Sequence, residues 1–411
     1  MMRKFSLTLF FFSTLVATIF FDDPHLYFYK RIVYVIFMGL SLWQLYLFYF
    51  KRTPEEEELP MPAFFKPYMY LFTAFIAYNL FVDFRNPGFS LITQLNHPLA
   101  ALAVVPVFAF GIGYQTKDIK PFIRFLVGTA VLFFLFIVVP LQGRNVSGPG
   151  LVCCYCVLPL TIFALYKKKY RLFALLLIGV SFVFSQISDS RTIVLRTMIF
   201  FGLLIPLTVT RKWAPLKFLV ICAMAFMIVQ FLTNLETWLE LFKSFVHVKN
   251  FDDEDTRTFL YTEVFDDLGI RDLIFGRGFQ GTYFSPYFLW LQTNNNDFTG
   301  DFYYRFSVEV GFLQFLLKGG FIYFILYVTP LVAAVYKGLF TRHTSKIAFL
   351  ISVYIACELL VLFVENIPAY HFQFFLIFFL AGYCFREASL HQSPSYEDLR
   401  YNALLQPGAV Y

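Results

Sequence analysis

Long apolar runs dominate the hydrophobic pattern of this 411-residue chain. A helix needs roughly 20 consecutive apolar residues to cross a bilayer. The first run resembles a signal-peptide core, but Asp22, Asp23 and Pro24 follow it in place of a small-residue cleavage site, so we interpret it as a retained span. The pattern predicts twelve spans, near residues 5–21, 32–50, 68–84, 99–114, 123–141, 151–166, 171–187, 192–210, 218–234, 308–336, 347–364 and 372–385.

Composition supports this interpretation. Hydrophobic residues make up 59% of the chain and charged residues only 15%, against about 25% charged residues in an ordinary soluble domain. These values exclude a disordered chain, a collagen and a disulfide-stapled secreted domain, and a soluble globule would lack polar surface. The six cysteines lie in apolar runs and form no zinc or disulfide pattern. We therefore expect an all-α polytopic membrane protein.

The distribution of basic residues predicts the orientation. Segments on the side of the N-terminus carry 20 Lys and Arg residues, whereas the short segments on the opposite side carry 4. The positive-inside rule then places both termini in the cytoplasm, and the net charge of +6 gives no indication of nucleic-acid binding. The predicted organisation is spans one to nine in 1–234, a large, partly helical outside loop in 235–305, spans ten to twelve in 306–385 and a cytoplasmic tail in 386–411.

Two arginines lie in or beside span eight, where charge is costly and indicates function by default. Arg191 follows Ser190 at the outer end of the span. Arg196 is five residues further along, about 7.5 Å deeper and roughly 140° around the helix axis. Two structural alternatives remain open: Arg191 as an interfacial anchor paired with Asp189, and Arg196 as a snorkelling residue or a member of an ion pair between spans.

Four further candidates lie on the outer side. Arg144 stands in a glycine-rich turn before span six, Arg257 and Arg277 belong to the large loop, and Glu309 precedes span ten. Guanidinium groups bind phosphate oxygens bidentately, and a carboxylate can accept a proton from a hydroxyl. Arg144 is alternatively a plain exposed turn residue, and Glu309 the partner of Arg305 in a local ion pair. No histidine cluster or P-loop accompanies these residues, so we expect a phosphate-handling site that uses arginine and no metal.

The order of these motifs resembles the O-antigen ligase and O-antigen polymerase family. Its members are bacterial inner-membrane glycosyltransferases with about twelve spans and one large periplasmic loop late in the chain. The resemblance rests on the turn from Arg144 to Gly148, on Ser190 to Leu195, on Phe275 to Phe279 and on Glu309 to Gly320. In ligases the last motif begins with histidine. Here Glu309 takes that place, and the only histidine of the large loop is His247, which favours a polymerase or a divergent relative over a ligase.

The resemblance implies sugar transfer at the periplasmic face, from an undecaprenyl-pyrophosphate-linked oligosaccharide to an acceptor glycan or glycolipid, without metal or cofactor. It implies catalytic roles for Arg191 and Glu309, with Glu309 deprotonating or orienting the acceptor hydroxyl. The donor pyrophosphate would be bound by arginines, namely Arg144, Arg191, Arg196, Arg257 and Arg277. An O-antigen ligase, a flippase of a lipid-linked glycan and a membrane scaffold without a site are the alternatives. No internal repeat and no matching pair of Gly/Pro-broken spans is apparent, which disfavours the transporter.

Overall fold

The computed structural model describes residues 62–85, 109–117, 119–138, 147–166, 191–209, 213–233, 258–294, 303–341, 345–365 and 372–390, with isolated positions between 32 and 43 and between 170 and 179. These residues are mostly helical, so the all-α expectation is confirmed at this level. The first predicted span, Arg144 and Arg257 lie outside the described residues.

Eight long helices and three short ones make up most of this part of the chain. In chain order they are α1 (Phe65–Arg85), α2 (Lys120–Val138), α3 (Ser147–Tyr166), α4 (Arg191–Val209), α5 (Ala214–Thr233), α6 (Thr258–Asp267), α7 (Ile270–Phe275), α8 (Pro286–Asn294), α9 (Gly311–Phe340), α10 (Lys346–Val361) and α11 (Phe372–Leu390). Two short strands, β1 (Tyr283–Phe284) and β2 (Tyr304–Arg305), pair antiparallel.

The eight long helices coincide with eight of the predicted spans. Within the described residues, α9 is long and apolar enough to cross a membrane, judged by length and composition alone. Three shorter apolar helical stretches accompany it, at Cys156–Tyr166, Val194–Thr208 and Pro215–Met227.

The centre of the fold is formed by α9, α10 and α11, which pack against one another. Helices α3 and α4 pack on α10, α5 packs on α4, and α1 packs on α9. Aromatic rings fill the space between them: the ring of Tyr327 lies 4.1 Å from that of Phe315 and 5.0 Å from that of Phe378. The abundant phenylalanine of the sequence therefore serves the core as well as the outer surface.

Helix α9 is broken at Gly320, whose backbone angles of φ 63° and ψ −167° are not helical. The break lies where α7 passes. A Cβ atom at Gly320 would collide with the carbonyl of Ile274, and one at Gly276 (φ 74°) would collide with the backbone of Gly319. Only glycine permits such a backbone conformation at so close an approach. The span predicted near 308–336 corresponds to α9, and the break at Gly320 is a feature that the sequence analysis did not predict.

The described part of the large loop packs on the first turns of α9. A small hydrophobic cluster joins Leu260 and Val264 of α6 to Val310 and Leu313. Helix α8 begins with Ser285 as its N-cap, which accepts from the Phe288 N–H at 3.3 Å, and with proline at the first helical position. The loop is thus a small folded module seated on the beginning of α9, and the site residues gather there.

Candidate functional site

A buried ionic cluster joins α4 to α10, and we call Arg196, Glu358 and Glu365 the Arg196 cluster. Arg196 Nε lies 3.5 Å from Glu358 Oε2, and Arg196 Nη2 lies 3.4 Å from Glu365 Oε2. The side chains of Arg196 and Glu358 are 4% and 2% exposed, whereas that of Glu365 is 16% exposed. Of the alternatives for Arg196, the ion pair between helices is therefore the one present.

The Arg196 cluster is loosely paired. A direct charge-assisted hydrogen bond is roughly 2.7–2.9 Å long, and both ion-pair distances exceed this length by about 0.6 Å. Glu365 Oε2 is buried and makes no hydrogen bond within the described part of the chain. The buried hydroxyl of Tyr354, one turn before Glu358, faces the charges of Glu358 and Arg196 without a hydrogen bond of normal geometry to any described residue. One guanidinium and two carboxylates give the cluster a formal charge of −1.

Arg277 fastens the loop module. Its Nε donates to Asp272 Oδ2 at 2.8 Å and its Nη1 to Asp267 Oδ2 at 2.5 Å. Further bonds reach the backbone carbonyls of Thr282 and Asp267. Burial lowers the pKa of Arg277, but the hydrogen bonds to and the charges of Asp272 and Asp267 outweigh this and leave the pKa above its ordinary value. Binding a pyrophosphate would require Arg277 to exchange some of these acceptors.

A second pair of buried charges holds the turn that carries Arg277. Lys318 of α9 is fully buried and donates to the Gly281 carbonyl at 2.7 Å, with its ammonium 3.7 Å from the Phe306 ring centre. Asp83 of α1 is equally buried and accepts from the Gln280 N–H at 3.0 Å. These contacts tie residues 276–281 to two long helices. Arg277 itself donates its backbone N–H to the Leu317 carbonyl at 2.8 Å.

Glu309 lies at the surface, two residues before α9. Its side chain is 50% exposed, and its Oε1 is 3.6 Å from Arg305 Nη2, so the local ion pair considered from the sequence is present. An exposed pair of this kind contributes little to stability. Glu309 is therefore accessible to a ligand.

The structure brings three of the predicted site residues to the first half of α9 and the chain around it. Arg277 and Glu309 flank this half of α9 directly. Arg196 is connected to this half of α9 indirectly. It pairs with Glu365 in the turn after α10, and this turn contacts the start of α9, where the Phe312 N–H donates to the Leu362 carbonyl at 2.9 Å. Arg191 is the first residue of α4, and only its backbone is described. Arg144 and Arg257 lie outside the described residues, so their predicted roles stay predictions.

Sequence reasoning missed Glu358, Glu365 and the pair Asp83 and Lys318 as site residues. The signal for Glu358 and Asp83 was available, because both carboxylates fall inside predicted spans, where charge is costly. Glu365 is seven residues after Glu358 and so lies near the same face of a helix continued past α10. Their partners could not be read from the sequence, because each pair joins helices far apart in the chain.

Comparison with models of known protein families, with curated proteins and with solved structures gives no significant match. Within the described residues, no group of three or more His, Cys, Asp and Glu side chains is placed to hold a metal ion. The function is therefore inferred from the geometry of the site and from the sequence motifs.

Proposed function

We propose that the chain is a polytopic membrane glycosyltransferase that polymerises undecaprenyl-pyrophosphate-linked repeat units of a bacterial surface polysaccharide. In this proposal the helices and the predicted spans outside the described residues cross the inner membrane twelve times, and the loop module faces the periplasm. The eight long helices at predicted spans and the 20-to-4 distribution of basic residues support this arrangement.

The observation that carries the proposal is the contact between two of the four sequence motifs. The turn containing Gly276, Arg277 and Gly278 lies against Gly319 and Gly320, the end of the motif that begins at Glu309. The backbones approach so closely that only glycine fits at Gly276 and Gly320. The contact supports one site assembled from the loop and the first half of α9.

The proposed reaction transfers a sugar from the lipid pyrophosphate to a hydroxyl of the acceptor glycan. The acceptor oxygen forms a bond to the anomeric carbon while the bond from that carbon to the pyrophosphate breaks, and its electron pair leaves on the pyrophosphate. Arg191, Arg144 and Arg257 would stabilise the developing negative charge. Arg277 is paired with the carboxylates of Asp267 and Asp272, so it holds the loop in place and does not supply free positive charge. Glu309 is exposed and orients the acceptor or removes its proton.

One observation favours the flippase as second candidate. Helices broken at membrane depth commonly form substrate sites in transporters, and α9 is broken at Gly320 beside the buried Lys318. The backbones of α7 and of the Gly276 turn pack directly against the break. We therefore rank the transferase first and the flippase second.

Deletion of the gene, followed by electrophoretic separation of the surface glycans, distinguishes the candidates. Loss of a polymerase leaves single repeat units attached to the final acceptor. Loss of a ligase leaves the acceptor without repeat units while lipid-linked polymer accumulates, and loss of a flippase traps single units on the cytoplasmic side. Either of the latter two patterns would contradict the polymerase assignment.

Complementation of the deletion strain tests the two catalytic assignments. We expect Arg191→Ala and Glu309→Ala each to abolish polymer while the protein accumulates normally, because each removes a group from the reacting atoms. Arg305→Gln breaks the same surface ion pair as Glu309→Ala and should retain polymer. Normal polymer length in Arg191→Ala or Glu309→Ala would remove that residue from the mechanism.

A further inference from the structure

We propose that the Arg196 cluster binds the acceptor hydroxyl and that Glu365 removes its proton, so that Arg196 is a positioning residue and not a ligand of the donor pyrophosphate. This inference rests on the proposed function and adds to it the acceptor side of the site. Arg196 is thereby moved from the donor side of the site to the acceptor side. Glu309 then orients the acceptor, and Glu365 removes the proton.

The charge of the cluster is the first argument. Glu358 and Glu365 both lie within 3.5 Å of the Arg196 guanidinium, so two carboxylates face one guanidinium in the described part of the chain. A buried group of formal charge −1 repels a pyrophosphate, since Coulomb interactions strengthen as the effective dielectric falls. A hydroxyl suits this environment, because it donates to a carboxylate and accepts from a guanidinium or a phenol.

Unused hydrogen-bonding capacity is the second argument. Glu365 Oε2 is buried without a hydrogen bond in the described part of the chain. The hydroxyl of Tyr354, which is 1% exposed, interacts with Glu358 without a hydrogen bond of normal geometry to any described residue. Buried polar atoms are nearly always hydrogen-bonded, so unmatched ones mark a place for water or a ligand. The cluster is therefore organised but incomplete.

Access distinguishes the two carboxylates. Glu358 is 2% exposed and holds Arg196 from within the helix core, whereas Glu365 is 16% exposed and follows the end of α10. A Cβ atom at Gly311 would lie 2.9 Å from the Glu365 carbonyl, which places the backbone of Glu365 beside the start of α9. The hydroxyl of Tyr261 in the loop module donates to the Phe363 carbonyl at 2.5 Å, two residues before Glu365. Glu365 thus lies where the loop, α9 and α10 meet.

The proton balance is simple. The acceptor O–H gives its proton to the Glu365 carboxylate as its oxygen bonds to the anomeric carbon, and the pyrophosphate leaves with the electron pair of the broken bond. Among the described residues, the charged and titratable groups around Glu365 include Arg196 from α4 and Glu358 and Tyr354 from α10, and Tyr327 of α9 faces Glu358. Arg196 orients the Glu365 carboxylate between turnovers.

The test uses the full-length protein, purified in nanodiscs, and radiolabelled lipid-linked repeat unit as both donor and acceptor. We expect Glu365→Gln to lower kcat/KM for chain elongation by about 10²–10⁴-fold, the usual contribution of a general base. The fall in rate at acidic pH should disappear in this variant, and donor affinity should not change. Glu387→Gln is the matched control, since Glu387 is also 16% exposed and lies 3.4 Å from an arginine, Arg386; its rate and pH profile should equal those of the wild type.

Wild-type turnover and pH profile in Glu365→Gln would overturn the inference and leave the proposed function standing. Absence of donor turnover in the wild-type protein would instead overturn the proposed function and this inference with it. If Glu365→Gln does not accumulate, Glu365→Asp decides, because it keeps the charge and withdraws the carboxylate by one methylene. The inference requires slower elongation with unchanged donor affinity in that variant, and unchanged elongation would overturn it.

Discussion

Arg277 is bound by so many acceptors that its first role is to fasten the loop module. Its fork contacts the carboxylates of Asp267 and Asp272 and two backbone carbonyls. Arg277→Ala should lower the free energy of unfolding by about 1.5–3 kcal/mol, the range for hydrogen bonds to charged groups. The measurement is limited proteolysis of the purified protein, with faster cleavage expected within 258–294.

Arg277→Lys separates this structural role from pyrophosphate binding. Lysine keeps the charge but lacks the planar fork that matches two carboxylates. We expect faster proteolysis in this variant as well, with polymer length reduced in proportion to the protein that accumulates. Normal protease resistance in Arg277→Ala, combined with loss of polymer, would contradict the fastening role and favour direct contact with the donor.

At this scale the sequence predicted the unusual residues better than their partners. Arg196 stood out because charge inside an apolar run is costly, and Glu358 satisfied the same criterion. That Arg196 faces Glu358 and Glu365 depends on how α4 packs against α10. Packing between distant helices is decided by side-chain shape along both helices, which a single sequence does not reveal.

The break in α9 is the element on which the loop module depends. A non-glycine residue at Gly320 would hold a sparsely populated backbone conformation, at a cost of roughly 1–3 kcal/mol, and would also displace the Ile274 carbonyl. Gly320→Ala should therefore lower the midpoint of thermal unfolding and reduce polymer length. The measurement is thermal unfolding in detergent, compared with glycan profiles of the complemented strain.

Gly128→Ala provides the matched control for that prediction. Gly128 lies inside α2, and no described atom outside its own helical turn lies within 4 Å of the position that a Cβ would occupy. Alanine favours a helix over glycine, so the unfolding midpoint should be unchanged or higher. Equal behaviour of Gly320→Ala and Gly128→Ala would show that the approach of α7 to α9 does not constrain the chain.

The long helices were predictable from the sequence, and the break was not. Apolar runs such as 347–364 coincide with helices, because a helix pairs the backbone N–H and C=O groups of an apolar segment with one another. The double glycine at Gly319 and Gly320 reads as a tolerated irregularity within a helix. Its conformation is determined by α7, which occupies the space that a continuous helix would fill.

The topology of the whole molecule is the basis for placing the reaction on the periplasmic side. We expect a membrane-impermeant maleimide to label Thr293→Cys in intact cells, because 235–305 is the predicted outside loop and Thr293 is exposed. Lys168→Cys lies in the most basic short segment and should be labelled only after permeabilisation. The wild-type chain reports the background from native cysteines. Labelling of Lys168→Cys in intact cells would contradict the proposed orientation.

Polymerisation by the purified protein tests the central claim most directly. The full-length chain in nanodiscs is supplied with the radiolabelled lipid-linked repeat unit of its host, and the products are separated by size. The account predicts a ladder of lipid-linked oligomers together with release of undecaprenyl pyrophosphate, and neither product with Arg191→Ala. Recovery of the intact repeat unit after incubation with the folded wild-type protein would contradict it.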